Sequence, residues 1–164
     1  MINKILAIAI LASCFLFTSC KSKQKMKDGD TTNSEVIMDN AWKDKAEALI
    51  TNKMWKLTEI DGKQVTYSNL NDKEAYIRFD RSDNQLTGDG GCNTFTGTYT
   101  LMKGNKIDFS PIAVTKKACQ DMTREQELLN VLEIADNYSI SESSLSLHSG
   151  RLTSLAKFKA VPQN

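Results

Sequence analysis

The chain has 164 residues, 21 basic and 20 acidic side chains, a formal net charge of +1, and 40% apolar residues. That length supports one domain with its own core, and the charge balance excludes a general nucleic-acid-binding surface. Four cysteines beside a single histidine, His148, fit no zinc spacing, so neither a metal nor another cofactor is expected.

Residues 1–19 read as an export signal. Lys4 precedes the apolar stretch Ile5–Leu11, which continues through Phe15, Leu16 and Phe17 to the small residues Thr18 and Ser19. The run is too short and too weakly flanked for a membrane-spanning helix. Phe17-Thr18-Ser19-Cys20 has the form of a bacterial lipobox, although phenylalanine stands where leucine is more usual. Cleavage there leaves Cys20 at the N-terminus, with diacylglycerol on its thiol and an acyl chain on its amine. The plain alternative is a cleaved signal with an incidental cysteine. Each buried methylene adds ~0.8 kcal/mol, so several chains make the attachment effectively permanent. The expectation is an exported protein whose first partner is the membrane, held through a lipid anchor in the bacterial cell envelope. No acidic residue follows Cys20 directly, which favours the outer membrane in a double-membraned cell.

Loss of residues 1–19 removes Lys4 alone among the charged groups and leaves the chain neutral. Residues 20–38 are expected to be a flexible lipidated tether, with Lys21, Lys23, Lys25 and Lys27 either facing anionic headgroups or simply solvating the linker. Over 39–50, Trp42, Ala46, Leu49 and Ile50 recur at helical spacing. From Trp55 the period becomes two, and residues 51–160 are expected to form one antiparallel domain. Asp61-Gly62, Arg81–Asn84, Lys103–Asn105 and Ser149-Gly150 punctuate it as turns. Ala75, Ile77 and Phe79 share one strand face, as do Phe95, Tyr99 and Leu101 on the next strand; Ile107–Phe109 and Ile112–Val114 follow. A late helix opens at Thr123, where Thr123 and Gln126 suggest a capping box. It carries Leu128, Val131, Leu132 and Ala135 as one apolar stripe and is expected to stop at Asn137. Cys14 leaves with the signal and Cys20 is acylated, so Cys92 and Cys119 remain. In an oxidising compartment they read as a disulfide, with free buried thiols as the alternative.

Four short patterns in order resemble the META domain family: Trp55–Gly62; Gly90-Gly91-Cys92-Asn93 with Gly97-Thr98-Tyr99; Thr115–Cys119 before a helix bearing Glu125, Leu128 and Leu132; and Tyr138-Ser139-Ile140 before Leu145-Ser146-Leu147. The resemblance spans 53–158. It implies an α+β fold: a single antiparallel, partly barrel-like β-sheet with one packed helix late in the chain, to which the 39–50 segment adds an N-terminal helix. Lys117 stands where the family usually has methionine.

No catalytic constellation is evident. His148 has no nucleophile elbow to serve and reads as a solvent-exposed strand end. Asp80, Asp83 and Asp89 miss the spacing of a calcium loop and read as solvated turns. Gly88, Gly90 and Gly91 read as a positive-φ or bulge device before Cys92. Asn93 reads as a turn residue bonding nearby backbone, with a ligand contact as the alternative. The stripe Thr94, Thr96, Thr98 and Thr100 suits the wet face of a strand. It also offers a hydroxyl array to a glycan or, at a sheet edge, to an added strand. The expected function is that of a non-catalytic envelope lipoprotein serving envelope integrity or stress tolerance. The alternative is a binding module for a protein, glycan or small ligand, acting as an inhibitor or accessory subunit.

Overall fold

The computed structural model describes residues 32–67, 73–150 and 153–161, without the side chains of 32–39. The signal, Cys20 and the lysine run lie outside the described residues. None of the described helices is long and apolar enough to cross a membrane.

Helix α1 (Thr32–Ile50) leads into β1 (Met54–Ile60), β2 (Lys63–Gln64), β3 (Tyr76–Phe79), β4 (Gln85–Asp89) and β5 (Thr94–Met102). Then come β6 (Lys106–Phe109), β7 (Ala113–Val114), α2 (Thr123–Ile134), β8 (Asn137–Ile140), β9 (Ser144–Ser149) and β10 (Thr153–Val161). The strands pair antiparallel in the order β10-β9-β8-β6-β5-β4-β3-β1, and β1 pairs in turn with β10. Eight strands thus close into a barrel, with β2 and β7 as short additions. Closure gives each of the eight main strands a neighbour on both sides, though β6 meets β8 at one register pair only, and β7 pairs with β5 alone. The closing ladder sets Trp55 against Ala160 and Leu57 against Phe158, with a bulge between Leu57 and Glu59.

The period of two does the rest. Ile77, Phe79, Leu86, Phe95, Tyr99, Leu101, Leu145, Leu147 and Phe158 point inward and are buried. The turn residues supply the left-handed backbone that tight hairpins need: Asp61 and Gly62 have φ of 47° and 75°, and Gly104 and Asn105 have 79° and 59°.

The two helices occupy opposite ends of the barrel, because successive antiparallel turns alternate ends. At the end carrying the β3–β4 and β5–β6 turns, α1 buries Ala46 and Ile50 in the core and rests Trp42 partly against it. The Trp55 indole donates to the Ile50 carbonyl at 2.7 Å, satisfying a free carbonyl at the helix end. Arg81 from the β3–β4 turn bonds Asp44 at 2.7 Å and the buried Glu47 at 2.6 Å. The helix starts seven residues before the expected 39, so 32–38 are helical rather than tether. Once the docked turns are formed, adding a residue costs little, and helix extends beyond the packed stretch.

At the other end, α2 drives Leu128, Val131 and Leu132 into the core. Its start departs from the expected capping box: Thr123 is already helical and the flanking residue Met122 makes no side-chain cap. Asp121 accepts from the Thr123 amide at 2.9 Å instead. The helix ends at Ala135 in extended backbone, and Asn137 opens β8 rather than stopping the helix in a left-handed turn.

Burial pushes the Tyr99 phenol up to about 12, with Glu47 and Asp80 adding to the effect. A group raised in the folded state contributes stability that is complete below its ordinary value of 10 and is lost as pH climbs toward 12. Urea titrations on either side of pH 10 should show stability falling with pH, and Tyr99→Phe should flatten that slope. Tyr67 and Tyr138, shifted the same way, leave a residue of it.

Candidate functional site

The turn between β4 and β5 is built around Asn93, which is 1% exposed. Its amide N–H donates to Glu125 Oε2 at 2.5 Å and its Nδ2 to Glu125 Oε1 at 2.8 Å. Its Oδ1 accepts from the Lys117 N–H at 2.7 Å and from Thr115 Oγ1 at 2.9 Å. The side-chain amide is thereby fully used inside the protein. Glu125, which the family resemblance placed on the late helix, is 2% exposed and turned inward to hold this loop.

The glycines are shaped to that contact. A Cβ on Gly90 would lie 2.5 Å from Glu125 Cγ, so only glycine lets the carboxylate approach. Gly91 alone of the Gly88, Gly90 and Gly91 set has positive φ, at 107°, and its N–H donates to Asp89 at 2.7 Å. Beside Asn93, Cys92 is bonded to Cys119, four residues before α2, across 27 residues of chain. Together these bonds tie the β4–β5 turn, the 115–119 segment and the first turn of α2 into one rigid corner.

That corner fixes how α2 stands over the barrel wall, and the helix leaves a cleft. Strand β8 meets β6 through a single register pair, Lys106 with Asn137. Beyond it, β6 and β7 have no strand beside them among the described residues on the side away from β5. There α2 stands off and encloses about 620 Å³ between its Gln126, Leu129, Asn130 and Glu133 face and the Phe109–Val114 stretch. Phe109, Ile112, Val114 and Leu129 give it apolar walls, and Ser110, Gln126, Asn130 and Glu133 supply polar groups. A concave apolar site with a few convergent polar groups is the usual form of a ligand pocket. The sequence reading missed this cleft; its one signal was Pro111 interrupting an otherwise continuous strand pattern.

The other residues singled out from sequence lie elsewhere. Thr94, Thr96, Thr98 and Thr100 all face outward and exposed. Their strand is no edge: β4 pairs on one side, β6 and β7 on the other. Thr94 and Thr96, with Tyr76, Thr87 and Thr115, line a shallower hollow of about 450 Å³ on the outer wall. His148 sits on β9 with Nε2 2.9 Å from Ser139 Oγ, while no described residue bonds its Nδ1. A serine–histidine pair without a group to orient the imidazole lacks the third member that such chemistry relies on. Asp80, Asp83 and Asp89 each accept from a backbone N–H two residues on, but only Asp80 and Asp83 are solvated turn residues; Asp89 ends β4 and is buried. Among the described residues no three potential metal ligands converge.

Glu125→Gln places an amide N–H₂ where two donors already converge and should cost about 1–3 kcal/mol in urea unfolding. Cys92→Ser, or reduction of the parent, should cost about 3.5 kcal/mol by the loop-entropy relation and lower the melting temperature. An unchanged melting temperature in reductant would remove the disulfide from the corner.

The fold has solved relatives of low identity. A protein from Burkholderia xenovorans, determined by NMR, superimposes with a TM-score of 0.57 at 20% identity, covering 73% of this chain and 88% of its own. A second NMR structure gives 0.53 at 18% identity, over 67% and 90% of the two chains. A DUF4847 family protein from Bacteroides vulgatus ATCC 8482, solved by crystallography, gives 0.50 at 15%, over 73% and 99%. These likenesses establish the barrel and nothing about activity. No curated protein matches the chain. The META domain model matches residues 48–162, which take in the whole barrel, the Asn93–Glu125 corner and the cleft, and the chain therefore belongs to the META domain family.

Proposed function

We propose that this META-domain chain is a non-catalytic envelope lipoprotein whose barrel acts as a binding module, with the cleft beside α2 as its site. The observation that carries the reading is the cleft itself, with apolar walls from α2 and the β6–β7 stretch and four polar side chains lining it. A rigid corner at one end of α2 holds the site preformed, which lowers the ordering cost of binding. Against catalysis stands the Nδ1 of the half-buried His148, which is buried and has no partner among the described residues. The lipobox at Phe17–Cys20 supports a tethered location outside the cytoplasm, and the lack of an acidic residue after Cys20 supports the outer membrane. A role in envelope integrity or stress tolerance would then follow from what the tethered barrel holds.

Two measurements check this. Cys20→Ala should move the protein from the membrane pellet to the soluble fraction, whereas persistent membrane association points to a retained signal segment. A photo-crosslinking residue at Asn130, in the cleft, should yield specific adducts in intact cells that the same group at Thr100, on the outer wall, does not. Identical adduct patterns from both positions, or none from either, would leave the cleft without a binding role.

A further inference from the structure

We propose that the cleft receives an extended peptide segment that adds as a strand to the free side of β7, with an apolar side chain between Ile112 and Leu129 and a basic side chain facing Glu133. This deepens the binding reading above and rests on it.

Three observations carry it. The first is the backbone. Among the described residues β7 pairs only with β5, Val114 opposite Phe95 and Ala113 opposite Thr96. The Thr115 N–H donates to the Thr94 carbonyl at 3.1 Å. Successive residues of an antiparallel strand turn their N–H and C=O groups to opposite sides, so those of Val114 point away from β5, toward the α2 side. The cleft therefore has a strand edge as one wall. An acyl chain laid there would cover these polar groups without bonding them, at the cost that attends any unpaired buried amide. A peptide backbone satisfies them.

The second is charge. Glu133 is the one ionisable side chain among the residues lining the cleft. An anionic occupant would meet its carboxylate unopposed, and Lys or Arg would complement it. The third is the neutral amides. Gln126 and Asn130, one turn apart on α2, each carry a donor and an acceptor that can bond the outer side of an inserted backbone. Pro111 has no N–H and stops the ladder upstream, which confines pairing to a short stretch around Ile112–Val114 and keeps affinity modest.

The test uses the purified full-length protein in detergent and a pooled library of random nonapeptides, with the retained peptides sequenced. Strand addition predicts enrichment of peptides carrying an aliphatic or aromatic residue close to Lys or Arg. N-methylation of one backbone amide in the best peptide should weaken it about tenfold or more, the loss expected when a buried partner is left unpaired. Glu133→Gln should weaken basic peptides about three- to fivefold, as for a partly exposed ion pair. Amide exchange at Val114 should slow on binding. Equal affinity for peptides methylated at each backbone position in turn would overturn strand addition without needing any protein variant. Neutral N-phenyl-1-naphthylamine separates the two levels of the argument. If it binds the parent and not Leu129→Trp while no peptide is enriched, the peptide inference is overturned and the binding reading stands. If neither probe binds, both fall.

Discussion

One buried carboxylate organises this barrel. Glu125 reaches from the first turn of α2 to clasp both the backbone and the side-chain amide of Asn93. Hydrogen bonds to an ionised acceptor are about twice as strong as neutral ones, and a partner removed from such a site leaves donors stranded away from water. That asymmetry explains the residues around it. Gly90 clears room for the carboxylate, Thr115 and Lys117 complete the Asn93 amide, and the Cys92–Cys119 bond staples the loop against the segment leading into the helix. The clasp acts together with the burial of Leu128, Val131 and Leu132 to seat α2 on the barrel, with the cleft beside it.

The opposite end is held by a different chemistry. There α1 combines buried aliphatic contact at Ala46 and Ile50 with a bidentate reach from Arg81 to Asp44 and Glu47. Glu47 is buried and so needs its cation: an isolated carboxylate at that depth would be costly. The helix is thus specified by matching a particular turn of the barrel, where apolar contact alone would let it slide.

Much of this was legible in the residues. Phe95, Tyr99 and Leu101 alternate with threonines because one strand face is core and the other water, and Asp61-Gly62 and Gly104-Asn105 mark hairpins because few residues accept positive φ. The pairing of β1 with β10 was not legible, since the partners lie at the two ends of the domain and no local pattern links them. Nor was the role of Glu125. An acidic residue at a helix start reads as solvated, and its partner stands 32 residues earlier in the chain. The length of α1 escaped for the opposite reason: residues 32–38 carry no helical apolar period, so only their continuity with a docked segment makes them helical. At α2 the helix begins at Thr123 itself, one residue earlier than a Thr123 cap requires, and Asp121 accepts the Thr123 amide from outside the cap position.

The single register pair joining β6 to β8 has a mechanical meaning. A cylinder whose other joints carry three or more register pairs and whose β6–β8 joint carries one yields at that joint first, because the fewest bonds must part there. Breathing at that joint would widen the gap beside α2 while the Glu125 corner and the β1–β10 closure stay intact. The wall can therefore act as its own door, admitting a bulky guest at the cost of a local opening rather than of global unfolding.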